Sequence, residues 1–178
     1  MLGFAAWSGT GKTTLLTRLI PMLREQGLRI AMIKHAHHDF DVDKRGKDSY
    51  ELRKAGASQM LIASSRRMAL MTKFEPPGEP RLPDLLKQLD PDRADLVLVE
   101  GFKGERLPKI ELHRPDLGKP LMFPEDPDII AVASDAPLAV PCDRTLLDLN
   151  QPEAICAFVL QWLRSESPEN PPHDQTAS

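Results

Sequence analysis

The sequence predicts a three-layer α/β fold, in which a mostly parallel central sheet carries helices on both faces. Three observations support this expectation. Apolar, strand-like segments alternate with helical patterns from the start of the chain. The segment DLVLVEGF at 95–102 is almost continuously apolar, which is typical of a parallel strand covered on both faces. The length of 178 residues suits one domain with a buried core and a ligand crevice.

The chain begins with a predicted strand, a glycine-rich loop and an amphipathic helix. Residues 2–6 form the short apolar strand, and RIAMIK at 29–34 predicts a second buried strand after the helix. Gly27 ends the helix, whose apolar face consists of Leu15, Leu16, Leu19, Ile20 and Leu23. A strand, a loop, a helix and a second strand together indicate a parallel βαβ unit.

The middle of the chain predicts smaller elements. A short helix at 50–54 stops at Gly56, and QMLIAS and RMALMT form two strands about a turn at 65–66. The proline-rich segment EPPGEPRLP at 75–83 is predicted to be a surface loop or a hinge. A short helix through Leu85, Leu86 and Leu89 follows it.

The last third of the chain supplies further strands and a final helix. KIELH at 109–113 and DIIAVASD at 128–135 follow the strand at 95–102. The helix is predicted to have Asn150 as its N-cap, with Glu153 three residues later, and to direct inward the side chains of Ile155, Phe158, Val159 and Trp162. We therefore expect one nucleotide-binding domain over residues 1–164 and a disordered tail over 165–178.

Composition narrows the class of partner. With 23 basic and 26 acidic residues the net charge is −3, which gives no broad electrostatic footprint for nucleic acid or an anionic membrane. Cys142 and Cys156 lack C-x-x-C spacing, so neither a disulfide framework nor a zinc ribbon is expected. The first seven residues are too short for a signal peptide or a membrane span. A cytoplasmic protein with no nucleic-acid or membrane partner is the expectation.

The stretch AAWSGTGKTTLL at 5–16 nearly matches the phosphate-binding loop pattern G-x-x-x-x-G-K-[ST], with Ala6 in place of the first glycine. Alanine is tolerable there if its φ is negative, because that position opens the turn at the strand end. In such a loop consecutive backbone N–H groups converge on phosphates, and the next helix adds its positive end. The predicted nucleotide-binding residues are Gly9, Thr10, Gly11, Lys12, Thr13 and Thr14.

Several side chains of the loop and of a later strand have predicted roles in catalysis or magnesium binding. Lys12 would reach the β- and γ-phosphates, and the Thr13 hydroxyl would join the shell of Mg²⁺. Glu100, at the end of DLVLVE, is placed to hold the metal directly or through water, and Gly101 would bring its N–H near a γ-phosphate. The alternative for Glu100 is an acid that merely caps a strand.

The segment 34–57 crowds imidazoles and carboxylates into one loop, namely His35, His37, His38, Asp39, Asp41 and Asp43. A zinc or nickel site is one interpretation, although the spacing matches no standard ligand pattern. A loop that closes over nucleotide is favoured, with Asp43 helping Mg²⁺ and Lys34 or Lys47 facing phosphate. A merely solvated polar loop is the third interpretation.

Asp135, at the end of IIAVASD, is the candidate for recognising the base. A carboxylate pairs with the adjacent N1–H and N2–H₂ donors of guanine and is mismatched to adenine. The carboxyl end of a late strand should border the nucleotide crevice, so Asp135 is predicted to bind guanine. Capping of the next turn is the alternative role. The basic segment 104–119 is either a solvated face or a surface for an anionic pterin or an acidic partner.

Four segments in this order and spacing resemble the molybdopterin-guanine dinucleotide biosynthesis protein B family, namely AAWSGTGKTTLL, IKHAHHDFDVDKRGKDSYELRKAGA, LVEGFK and IIAVASD. The resemblance runs from about residue 2 to about residue 164, and the second segment is long enough to be highly specific. It implies the fold of a P-loop NTPase. The family is similar to the GTPases that include metallocentre-maturation proteins, and Ala6 is also usual in its close members.

The resemblance further implies a GTP-binding protein that uses Mg²⁺, has slow GTPase activity at most, and assists the attachment of GMP to the molybdenum-cofactor pterin. Its implied partners are the nucleotidyltransferase of that step and the molybdenum-insertion protein. A homodimer whose strands form one extended sheet is also implied. Two alternatives remain at this point: a small-molecule kinase with a histidine base from 35–38, and a metal-delivery protein that uses the same loop.

Overall fold

A computed structural model describes residues 1–36 and 40–166. Its strands are β1 Leu2–Ala6, β2 Ile30–Lys34, β3 Gln59–Ala63, β4 Met68–Thr72, β5 Leu96–Glu100, β6 Lys109–His113, β7 Ile129–Ser134 and β8 Thr145–Asp148. Its α-helices are α1 Lys12–Glu25, α2 Asp48–Lys54, α3 Leu82–Leu86 and α4 Pro152–Glu166.

Six of the strands form one parallel sheet with the order β2-β5-β1-β6-β7-β8. The glycine-rich loop leaves β1 near the middle of this sheet, with β5 on one side and β6 on the other. Because the strands are parallel, their carboxyl ends lie along one edge, where ligand crevices of such sheets form. The predicted α/β sandwich is confirmed.

Helices α1 and α4 pack against each other on one face of the sheet. Their apolar sides meet the main core, which includes Leu19, Leu23, Ile155 and Val159. The other face is covered by the short α3, through Leu82, and by irregular chain between residues 121 and 142. Helices therefore lie on both faces, although the second face has little helix.

Strand β6 is buried along its whole length, including two charged side chains. The Nζ atom of Lys109 lies 2.8 Å from an oxygen of Asp126. The carboxylate of Glu111 accepts hydrogen bonds from the backbone N–H groups of Met122 and Phe123, both at 2.8 Å. These contacts hold the irregular connection between β6 and β7 against the sheet, in the place of a helix.

Strands β3 and β4 form a separate antiparallel hairpin, as predicted. Leu61 and Leu70 are cross-strand partners with 58% and 50% of their surface exposed, and Met68 is 73% exposed. A two-stranded hairpin is marginally stable unless something covers it. These exposed side chains give the hairpin an apolar face.

Three secondary-structure elements differ from the sequence prediction. Helix α3 begins at Leu82, inside the segment predicted to be a loop, and ends before Leu89. Strand β8 was not predicted, because three of its four residues are exposed and it has no apolar pattern. The N-cap prediction for Asn150 is wrong: α4 begins at Pro152, and the Asp148 carboxylate accepts a hydrogen bond from the Asn150 backbone N–H at 2.8 Å.

The final helix continues to Glu166, so the first two residues of the predicted tail are helical. The rest of that tail, residues 167–178, lies outside the described residues.

Candidate nucleotide-binding site

The loop between β1 and α1 has the backbone shape that an anion site requires. Gly9 and Gly11 have φ angles of +85° and +95°, a region that favours glycine. A Cβ atom added to Gly9 would meet nothing within 4 Å, so the space beside the loop is open. Helix α1 has no side-chain cap and no acidic residue in its first turn. Its first N–H groups and its positive end are therefore available to an anion.

Ala6 ends β1 as an ordinary strand residue and pairs with Leu112. Among the described residues, positive φ angles occur only at glycines, so the φ of Ala6 is negative and the condition for alanine at this position is met. Thr10 is 2% exposed and closes the loop from within, because its hydroxyl donates to the Trp7 carbonyl at 2.8 Å. The Thr10 N–H is also engaged by that carbonyl, at 3.3 Å.

Lys12 of the glycine-rich loop and Glu100 of β5 form an ion pair. The Lys12 ammonium lies 3.5 Å from Oε1 of Glu100, and the Lys34 ammonium lies 3.3 Å from the same oxygen. Register places Lys34 of β2 and Phe4 of β1 beside Glu100 of β5. Glu100 is 8% exposed and balances the charges of Lys12 and Lys34 at the carboxyl ends of the strands, a role beyond that of a strand cap.

Gly101 lies where β5 meets the start of the polar loop after β2. Its φ is +98°, and an added Cβ would come within 2.9 Å of the His35 Cβ and 3.1 Å of the His35 carbonyl oxygen. The His35 N–H donates to the Glu100 carbonyl at 2.8 Å. The His35 ring stacks on Phe102 at 5.0 Å between centroids and lies 3.2 Å from a carboxylate oxygen of Glu79. Glycine at 101 is thus needed for packing.

Asp43 is tied to the short helix α2. Its carboxylate accepts hydrogen bonds at 3.0 Å from the Ser49 hydroxyl and the Lys44 N–H, and it lies 3.6 Å from Nε of Arg53. One oxygen of Asp43 is buried without a hydrogen-bond partner. Magnesium binding by Asp43 and Thr13 stays a prediction.

The transition-metal hypothesis depends partly on His37, His38 and Asp39, which lie outside the described residues. Within 1–36 and 40–166, no group of three or more His, Cys, Asp or Glu side chains is arranged to hold a metal ion.

Asp135 follows β7 and forms an ion pair with Arg114, which follows β6. The same guanidinium donates through Nε to the Thr10 carbonyl at 2.8 Å. Arg114 therefore connects the phosphate loop to the candidate guanine-binding residue. In the sequence Arg114 belongs only to the basic segment 104–119, and its position directly after a predicted parallel strand is the available signal of its role.

A cleft of about 100 Å³ opens on the same side of the loop. It lies between the start of α1, the Arg114 side chain and the connection from β8 to α4. Its lining residues are Gly11, Thr14, Leu15, Arg18, Arg114, Leu149, Asn150 and Pro152.

The family model of "Molybdopterin guanine dinucleotide synthesis protein B" matches residues 1–135. The chain is also 52% identical over 168 residues to the molybdopterin-guanine dinucleotide biosynthesis adapter protein of Escherichia coli K12, covering 94% of this chain and 95% of that one. This chain belongs to the molybdopterin guanine dinucleotide synthesis protein B family. The resemblance of the four sequence segments is thereby confirmed.

Two further family members are similar over nearly their full lengths. The adapter protein of Haemophilus influenzae is 49% identical over 164 residues, covering 92% of this chain and 89% of that one. A crystal structure of molybdopterin-guanine biosynthesis protein B is 29% identical and superposes with a TM-score of 0.72, covering 92% and 98% of the two chains. The family's fold is the one described above.

The part of the chain matched by the family model ends at Asp135, so it contains every predicted nucleotide and metal residue, from Gly9 of the loop onward. As for membranes, none of the helices in the described part of this family member is long and apolar enough to cross one.

Proposed function

We propose that this chain is a GTP-binding adapter in molybdopterin-guanine dinucleotide biosynthesis. It assists the nucleotidyltransferase that attaches GMP to molybdopterin, and it hydrolyses GTP slowly at most. The observation that carries the proposal is the uncapped start of α1, where the Lys12 ammonium lies 3.5 Å from the Glu100 carboxylate on the neighbouring strand. Two bacterial relatives named as adapter proteins, 52% and 49% identical, support the adapter role.

The triphosphate binds to the backbone N–H groups of the loop and the first turn of α1, and Lys12 neutralises its terminal oxygens. The open space beside Gly9 and the left-handed conformation of both loop glycines support this fit. We propose that Mg²⁺ takes oxygen ligands from Thr13, Glu100 and Asp43. Thr13 is exposed in the first turn, Glu100 supplies a carboxylate, and Asp43 has a buried oxygen without a hydrogen-bond partner.

Guanine binds at the β7 side of the loop, where Asp135 accepts hydrogen bonds from N1–H and N2–H₂ of the base. The Arg114 guanidinium supports this assignment, since it holds Asp135 and contacts the Thr10 carbonyl of the loop. Gly101 allows the Glu100–Lys103 turn to approach the terminal phosphate.

The proposed partners are the nucleotidyltransferase and the molybdenum-insertion protein, and the protein acts as a cytoplasmic homodimer without nucleic-acid or membrane partners. The exposed apolar face of the β3–β4 hairpin supports the dimer, because an exposed apolar patch on a protein usually marks a surface that binds another molecule. The net charge of −3 is consistent with protein and nucleotide partners.

Calorimetric titration with GTP and with ATP, each with magnesium, tests the nucleotide proposal. We expect GTP to bind at least about tenfold more tightly than ATP. The Lys12→Ala variant should lose about tenfold to a hundredfold in GTP affinity, because a charge-assisted contact contributes roughly 1.5–3 kcal/mol. Lys87→Ala, at an exposed lysine paired with Asp84, is the matched control and should bind normally. Equal or preferred ATP binding would remove the guanine assignment.

Asp135→Asn tests the same assignment from the opposite direction. An asparagine amide donates a hydrogen bond to the O2 atom of xanthine, where guanine instead carries its N2 amino group. The variant should lose GTP affinity and gain XTP affinity, each by about tenfold, as measured by competition titration. Unchanged preference for GTP would exclude Asp135 as the base-recognising residue.

A further inference from the structure

Lys103 lies over the phosphate loop, although it is absent from the nucleotide-binding pattern. It follows Glu100 by three residues, and its Nζ atom lies 4.4 Å from the ring centroid of Trp7, the residue that follows β1. The Trp7 ring is fixed in place, because its indole N–H donates to the Pro120 carbonyl at 2.8 Å. A cation–π contact therefore attaches the end of β5 to the start of the loop.

The site contains more positive charge than its carboxylate neutralises. Lys12 and Lys34 share Glu100. In the described part of the chain, by contrast, no carboxylate oxygen lies within 4 Å of the Lys103 ammonium. Burial lowers the pKa of Lys103, the positive charge of Lys12 lowers it further, and the Glu111 carboxylate raises it. Because the lowering effects prevail, an anion beside the ammonium group would stabilise its charge.

The arrangement also orients a bound nucleotide. Asp135 and Arg114 lie beyond the β6 side of the loop, and the cleft at Gly11 and Thr14 is on that side too. Glu100 lies on the opposite side, at the end of β5, and the Lys103 ammonium lies over the Trp7 ring at the start of the loop. A nucleotide with its base near Asp135 extends its phosphates along the loop, so that its terminal phosphate arrives beside Lys12, Glu100 and Lys103.

We propose that Lys103 leaves the Trp7 ring to bind the terminal phosphate, so that the site distinguishes a nucleoside triphosphate from a diphosphate. This inference rests on the proposed GTP binding. A contact with an exposed aromatic ring contributes about 0.5–1 kcal/mol, whereas a charge-assisted hydrogen bond contributes about 1.5–3 kcal/mol. The phosphate is therefore the better partner for the Lys103 ammonium. A diphosphate, which ends one phosphate earlier, leaves Lys103 on the ring.

The fluorescence emission of Trp7 reports directly whether the Lys103 ammonium leaves the ring. The chain has two tryptophans, so Trp162→Phe leaves Trp7 as the sole indole fluorophore. In this background we expect the magnesium complex of a non-hydrolysable GTP analogue to change Trp7 emission, because the ammonium moves off the ring. The magnesium complex of GDP should bind without that change. Equal emission changes with both nucleotides would overturn the inference, and no substitution of Lys103 is needed to see this.

The affinities of the Lys103→Met variant for the GTP analogue and for GDP provide a second test. The variant should lose about tenfold in affinity for the GTP analogue and less than about twofold for GDP. Lys119→Met, at an exposed lysine in the same basic segment, is the control and should retain both affinities. Lys103→Arg should restore most of the triphosphate preference, because it keeps the charge.

The outcomes separate this inference from the proposed function. If Lys103→Met leaves the ratio of the two affinities unchanged, or lowers both affinities equally, Lys103 does not recognise the terminal phosphate, and GTP binding stands. If the unsubstituted protein binds neither nucleotide, the proposed function fails and this inference fails with it.

Discussion

At the level of single residues, Gly101 allows two separate chain segments to meet at the edge of the sheet. From the sequence, a glycine here is expected to bring its N–H near a γ-phosphate. The structure adds that a glycine leaves room for His35 to pack against it. His35 approaches so closely that a side chain at 101 would overlap the His35 Cβ and carbonyl. Since Glu100 directly precedes this glycine, the same contact fixes the backbone that carries the candidate carboxylate.

Gly101→Ala should therefore destabilise the protein by roughly 1–3 kcal/mol, because it combines a positive φ with a close contact to backbone. Urea denaturation monitored by circular dichroism measures the change in the free energy of unfolding. Gly104→Ala is the matched control: nothing lies within 4 Å of its added Cβ, and its φ is outside the left-handed region. Equal stability of the two variants would show that the 35–101 contact is not a constraint.

The conformation of the glycine-rich loop between β1 and α1 could be predicted from the sequence because its requirements are local. Eight consecutive residues specify the spacing of glycines and lysine, and the strand and helix around them are visible in the same window. Arg114 could not be predicted in the same way. Its two partners, Thr10 and Asp135, lie 104 and 21 residues away, and only the completed sheet brings them together.

Among the secondary-structure elements, β6 is unusual because it buries charged side chains where an apolar strand would suffice. Glu111 has no exposed surface and accepts hydrogen bonds from two backbone N–H groups of the following segment. A buried carboxylate is costly unless it is hydrogen-bonded, so these two bonds account for its presence. Glu111 thereby substitutes for the helix that usually covers a parallel crossover.

The stability that Glu111 contributes should depend on pH in a definite direction. Burial raises the pKa of Glu111 above its ordinary value, against the opposing effect of the two N–H donors. A raised pKa in the folded state means that this contribution is fully present below the unfolded pKa and is lost as pH rises through the folded pKa. As pH rises from the unfolded-state pKa towards the folded-state pKa, the stability difference between the unsubstituted protein and Glu111→Gln should therefore shrink.

Urea denaturation at several pH values measures that difference. At the acid end of this range the glutamine variant should be less stable by about 1–3 kcal/mol, because its single acceptor oxygen leaves one buried N–H poorly satisfied. Glu125→Gln, at an exposed carboxylate in the same segment, should cost little and show no such trend. A stability difference that stays constant across the range would contradict the assigned role of burial.

Elements with a buried, periodic pattern were predictable, and those without one were not. The continuously apolar β5 and the alternating faces of α1 and α4 follow from their side chains alone. The edge strand β8 has one partly buried residue in four, so its pairing with β7 decides its conformation. At α4, the Asp148 carboxylate takes the N–H of Asn150, a competition between two capping residues that the sequence could not decide.

At the level of the whole molecule, one parallel sheet gathers the candidate site along a single edge. The end of β5 contributes Glu100 and Lys103, and the end of β7 contributes Asp135, with the loop between them. The β3–β4 hairpin lies outside this sheet and has its own apolar face. The proposed nucleotide site and the proposed dimer surface are therefore different parts of the chain, and each can be disrupted separately.

The proposed dimer can be tested on the hairpin without disturbing the nucleotide site. Leu61→Asp combined with Leu70→Asp places two carboxylates at a cross-strand pair that is more than half exposed at Leu61 and half exposed at Leu70. Since burying one leucine contributes about 1.5–3 kcal/mol, and a two-fold interface repeats each contact, dimer dissociation should become at least about a hundredfold easier. Sedimentation equilibrium measures this change.

Val140→Asp, at an exposed apolar residue away from the hairpin, should leave the dimer intact. GTP affinity should persist in the double variant, because the loop belongs to the other sheet. A monomeric unsubstituted protein, or a double variant that stays dimeric, would exclude the hairpin as the interface.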